Sequence, residues 1–159
     1  MDVENRLAAL GLSLPQPAQV PAGVPIPFRW VRVSGNKAYV SGHIPLDADG
    51  SIARPLGRVG AELTVDQGYE AARKLALAML GSLRNELGDL DRIQAWLRVF
   101  AIVNCAPGFV ETPKVTNGFS DLILSLYGAD KGGHARSTIG GLPAFNAPIE
   151  IEAEVEILP

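Results

Sequence analysis

Several things are scarce in this 159-residue sequence. There is one cysteine, Cys105, so no internal disulfide can form and a multi-cysteine zinc cluster is excluded. There are two histidines, His43 and His134, with no H-x-x-x-H spacing, so ligand logic gives no metal site. Charged residues make up 19% of the chain and the net charge is −3, with no cluster of lysine or arginine. Binding to nucleic acid requires phosphate neutralisation, and this balance argues against it. No apolar run approaches the roughly 18 residues of a membrane span. The start, MDVENRLAALG, lacks the basic and unbroken apolar regions of a secretory signal, so a soluble cytoplasmic protein is expected. No P-loop, GxSxG or GxGxxG element occurs.

What is present is apolar: 47% of residues are hydrophobic, enough for one core and for some surface to be covered in an oligomer. Residues 3–11 read as a short helix with Leu7, Leu10 and Val3 as its stripe. The segment LPQPAQVPAGVPIP (14–27) carries five prolines and reads as an extended connector. Residues 1–27 thus stand apart from a main domain over 28–159. Runs at 30–34 and 37–42 flank Gly35-Asn36 as a hairpin. A turn follows at 45–51 and a short strand near 55–59. Thr64 and Gln67 form a capping box for a long helix that Gly88 stops. Residues 92–104 alternate as a strand apolar on both faces, with Trp96, Phe100 and Ile102 opposite Ile93, Ala95, Leu97, Val99 and Ala101. Thr112-Pro113 opens a second long helix that Gly128 ends. Strands near 136–142 and 149–157 close the chain. The order implies an α+β fold, with two long helices on one face of a mixed sheet.

Two features carry chemistry. In HARSTIGGLP, Arg136 lies among small residues. Guanidinium is always charged and forks onto carboxylate or phosphate, so a clamp for an anionic substrate stands beside the plainer reading of an arginine paired with a glutamate. Gly140-Gly141 suggests a bulge that re-aims a side chain. In IEIEAEVEI, Glu150, Glu152, Glu154 and Glu156 share one strand face, roughly 6.5–7 Å apart. Most of such a row is a solvated face. The short connection 142–148 suggests a hairpin that would set Glu150 beside Arg136, where a carboxylate could orient water. Cys105 reads as a core or turn residue.

Three segments together resemble the RidA (YjgF) family of reactive-intermediate deaminases, also labelled endoribonuclease L-PSP. NKAYVSGHIPLDADG (36–50) is similar to its N-x-x-x-x-S-G-Q-I-P segment, ARSTIGGLP (135–143) to its A-R-x-x-x-x-x-x-L-P segment, and IEIEAEVEI to its closing strand. The resemblance runs from about Phe28 to Ile157. It implies a chorismate-mutase-like fold and a homotrimer with a barrel-like core and clefts between subunits. It also implies cofactor-free, metal-free hydrolysis of 2-imino or enamine acids to 2-keto acids and ammonia. Arg136 takes the place of the arginine on the substrate carboxylate, and Glu150 that of the glutamate near the attacking water. Gly42 would offer a backbone N–H. Ser41, His43, Phe28, Asn117 and Thr138 fall at positions lining the site. The sequence departs from the family at Phe28, where tyrosine is common, at His43, which replaces glutamine, and near Asn117, where the asparagine register is shifted by one. A non-catalytic binder of small carboxylates is the alternative. The resemblance assigns no role to Glu152, Glu154 or Glu156.

Overall fold

The computed structural model describes residues 2–159. Its first element, α1 (Asp2–Ala9), is short and is held by the rest of the chain. The Asp91 carboxylate accepts the backbone N–H groups of Asp2 and Val3 at 2.6 and 3.0 Å, placing a negative charge at the positive end of the helix. Val3 and Leu7 are buried in the main core. Leu10, expected in the same stripe, lies beyond the helix end and is 48% exposed. The proline-rich connector contains no helix or strand. It is tied to the turn at 47–50 by Gln16 N–H to the Ala48 carbonyl and Gln19 N–H to that of Gly50.

The strands β1 (Val31–Ser34) and β2 (Lys37–His43) pair antiparallel around Gly35-Asn36, as the turn residues predict. The 55–59 region is no strand; Val59 makes only isolated bridges to Leu63 and Cys105. Thr64 and Gln67 close their capping box in both directions (3.1 and 2.9 Å) at the start of α2 (Val65–Leu87). Next come β3 (Ile93–Asn104), α3 (Thr112–Gly132), β4 (Ala135–Gly141) and β5 (Ile149–Ile157). Glu111, rather than Thr112, is the N-cap residue of α3. Gly128 breaks α3 with φ 75° instead of ending it, since a residue without Cβ can take that conformation and the helix resumes beyond.

One five-stranded sheet has the order β1-β2-β5-β3-β4, with β3 and β4 parallel and the other pairs antiparallel. This is the expected α+β mixture, with α2 and α3 on one face. That face is filled by Ile149, Ile151, Ala153, Val155 and Ile157 of β5 and by Trp96, Val99, Ala101 and Val103 of β3, all buried. Irregularities between Ile93 and Ala95 and between Trp96 and Arg98 shift the alternation of β3. Trp96 therefore joins Val99 under the helices, whereas simple alternation sets them on opposite faces. The four glutamates of β5 line the other face, as their spacing predicts, beside Phe100, Ile102 and Tyr39. Among the described residues no helix is long and apolar enough to cross a membrane.

Candidate functional site

Arg136 sits on β4 in register with the buried Val99, and its side chain reaches to α3. Its Nη1 donates to Asn117 Oδ1 at 2.9 Å and to Ser120 Oγ at 3.1 Å. Asn117 and Ser120 are three residues apart and share one helix face. No carboxylate lies within ion-pair distance of Arg136 among the described residues, so the pairing with a glutamate is absent from this chain. Partial burial draws its pKa below the ordinary value, against the pull of Asp121; guanidinium nevertheless stays charged near neutrality. Thr138, two residues on, shares this face. Thr116 donates to the Thr112 carbonyl, so the 2.8 Å contact between Thr116 and Thr138 is a bond donated by Thr138. Arg136, Asn117 and Thr138 are thus brought together. Gly140-Gly141 forms no bulge; the ladder to β3 runs unbroken. The glycines instead allow close approach, since a Cβ on Gly140 would stand 2.8 Å from Cys105 Sγ.

A second group forms where β2 meets β5. Between Val40 and His43 the pairing advances three residues on β2 for two on β5, a bulge at Ser41-Gly42. A Cβ on Gly42 would lie 2.8 Å from Glu150 Oε2, so only glycine lets this carboxylate cross the strand without displacement. Glu150 Oε1 accepts the Ala144 N–H at 3.1 Å. Ser41 donates its hydroxyl to the Arg29 carbonyl at 2.7 Å. Phe28, half exposed, sets its ring edge-on to Trp30 at 5.1 Å. His43 belongs to the wall and not to the open surface. It is 5% exposed, and both ring nitrogens are engaged, with the Ser41 carbonyl at 2.6 Å and the Ser82 hydroxyl at 2.8 Å. Burial pushes its pKa down, partly offset by the bond to Ser41.

These two groups do not meet within one chain. The hairpin expected between β4 and β5 does not form, because β3 runs between them. Arg136 is in register with Val99, and Glu150 with Ile102. Three residues along and two strands across separate their backbones by roughly 14 Å. Arg136 lies on the helix side of the sheet and Glu150 on the other. Sequence reasoning missed Ser120 and His134, which adjoin Arg136; their one sequence signal is the three-residue step from Asn117 to Ser120 on a helix. A cavity of about 430 Å³ between α1 and the end of α3, lined by Arg6, Asp91, Tyr127 and Asp130, includes none of the candidate residues.

The fold agrees with comparisons to known proteins. The model of the family described as YjgF/chorismate mutase-like, putative endoribonuclease, matches residues 4–146, reaching into α1 before the first motif and stopping just short of β5, which carries the third. The chain belongs to this RidA/YjgF family. Protein TCP17 of Trypanosoma cruzi is 40% identical over 157 residues, 98% of this chain and 94% of its own. The crystal structure of Atu1372 from Agrobacterium tumefaciens, a protein of unknown function, superposes with a TM-score of 0.87 at 36% identity, over 99% of this chain and 93% of that one. A Shewanella oneidensis MR-1 structure gives 0.87 at 29% identity, over 98% and 99%.

Proposed function

We propose that the protein hydrolyses reactive 2-imino and enamine acids to 2-keto acids and ammonia, without metal or cofactor. One observation carries the reading: a half-buried guanidinium is held at Nη1 by two neutral acceptors and has no carboxylate partner among the described residues. Such a group suits an incoming carboxylate, which would take Nε and Nη2. Because Arg136 and Glu150 lie on opposite faces of the sheet, the proposed site joins the Arg136 group of one copy to the Gly42–Glu150 group of the next, in a ring of three.

The chemistry asks little of such a site. A protonated imine is already electrophilic at carbon. Arg136 and the Gly42 N–H fix the carboxylate, and Phe28 flanks the substrate side chain. Glu150 takes a proton from water as its oxygen bonds to the imine carbon. The proton then passes to the amine of the tetrahedral intermediate; as Glu150 takes the proton of the new hydroxyl, the C–N bond breaks, ammonia leaves and the keto acid remains. Placement supplies most of the gain, with general-base assistance added.

The test is to generate 2-iminopropanoate with an amino-acid oxidase and follow imine loss. Acceleration by the wild type is expected, with kcat/KM falling on the order of 1000-fold in Arg136→Met, about 4 kcal/mol. Equal acceleration by the variant sinks the reading. Phe28, which lacks the hydroxyl common at this family position, favours a second reading as a binder of small carboxylates. Pyruvate binding without imine turnover would select it. Net charge −3 and the absence of a basic cluster weigh against RNA cleavage.

A further inference from the structure

We propose that Ser120 and His134 are a positioning pair for Arg136, fixing the guanidinium for its anionic ligand. The inference rests on the carboxylate reading of Arg136. The chain of bonds has one consistent polarity. His134 Nδ1 lies 2.7 Å from the Gly132 carbonyl, which can only accept, so Nδ1 carries the proton. In the neutral ring Nε2 is then an acceptor, and it takes the Ser120 hydroxyl proton across 2.9 Å. Ser120 Oγ is left with lone pairs alone to offer Arg136 Nη1, at 3.1 Å. A serine hydroxyl otherwise rotates to suit any neighbour; here the histidine locks it as an acceptor. With Asn117 Oδ1 it saturates Nη1 and holds a side chain that is otherwise rich in rotamers.

The surroundings support a neutral ring. His134 is packed between the end of α3 and the start of β4, edge-on to Phe119. Burial lowers its pKa most, the Gly132 bond opposes that, and the charge of Arg136 lowers it further. Asp121, the acidic group beside this network, acts on Arg136 while its own carboxylate accepts the Tyr69 hydroxyl of α2 at 2.7 Å. His134 therefore senses Arg136, and a carboxylate bound to Arg136 would shield it.

The pair is tested on the full chain by ¹⁵N NMR of the imidazoles, with pyruvate as the probe ligand. Expected are the Nδ1–H tautomer of His134 and a titration midpoint that rises in Arg136→Met and again, in the wild type, on saturation with pyruvate. Ser120→Ala should weaken pyruvate binding about tenfold by calorimetry, and raise KM with kcat changed less than about twofold. His134→Asn, which can still reach the Gly132 carbonyl, should weaken it about threefold. A midpoint unmoved by Arg136→Met, or unchanged affinity in Ser120→Ala, overturns the pair. A midpoint moved by Arg136→Met but not by pyruvate upholds the coupling and overturns the carboxylate reading instead.

Discussion

The two histidines are bonded alike and do different things. Each donates Nδ1–H to the carbonyl two residues before it, Ser41 for His43 and Gly132 for His134. Each takes a serine hydroxyl from a long helix at Nε2, Ser82 of α2 for one and Ser120 of α3 for the other. The difference lies beyond the serine. Among the described residues no charged group is bonded to Ser82, so His43 simply pins the strand end that carries Ser41 and Gly42. Ser120 passes its bond on to Arg136, so His134 is coupled to the charge of the site. Position in a motif would rank them the other way round, since His43 stands in SGHIP and His134 precedes its motif. The role of a buried histidine is set by where its hydrogen-bond chain ends.

The same contrast divides the candidate site into an Arg136 half on the helix side and a Glu150 half on the open side. The strongest way to break that division is subunit mixing. Arg136→Met and Glu150→Gln should each lose activity by a factor of 10² or more, roughly what is expected for a buried ionic contact and for a general base. Glutamine keeps an acceptor for the Ala144 N–H, so the loop stays tethered. If each site draws one half from each of two copies, co-refolding the two inactive variants in equal amounts restores about one quarter of wild-type activity, because that fraction of interfaces pairs two intact halves. Recovery indistinguishable from zero would place both halves in one chain and contradict the shared site. A smaller effect sharpens the distinction. Gly42→Ala sets a methyl 2.8 Å from Glu150 Oε2 and should lower kcat about tenfold while KM for the imino acid changes little. The Arg136 half acts through binding, so its second-rank substitutions should move KM instead.

Much of this was legible in the sequence because local chemistry determined it. The capping box at Thr64 and Gln67, the Gly35-Asn36 turn and the alternation of β5 each need only neighbours in the chain, and each appears as expected. Asn117 also falls beside Arg136, despite the shifted register. The failures share a non-local cause. Nothing in residues 142–148 reveals that β3 will intervene between β4 and β5, so a short connection reads as a hairpin. Strict alternation misplaced Trp96 because two irregularities in β3 are set by its partner strand. Ser120 was invisible for a similar reason: a serine inside an apolar helix gains meaning only when a histidine just before the next strand and an arginine on that strand reach it.

The smallest expected effect lies in the pH dependence of stability, and it again separates the two histidines. Both have folded-state pKa values below the ordinary 6.5, chiefly from burial. As pH falls through 6.5 the unfolded chain protonates first, so the unfolded state gains protons that the native state refuses. The contribution of each ring is complete above pH 6.5 and is lost below it, toward the folded value. Urea midpoints at fixed chain concentration should therefore decline between pH 7 and pH 5. His43→Gln should flatten this decline, since His43 is the more deeply buried ring. In Arg136→Met the share due to His134 should shrink, because removing the neighbouring charge lets its pKa rise toward the unfolded value, while the share due to His43 should not change. A decline altered equally at both rings by Arg136→Met would mean that the two serine–histidine pairs are not electrically distinct, and would undo the contrast between them.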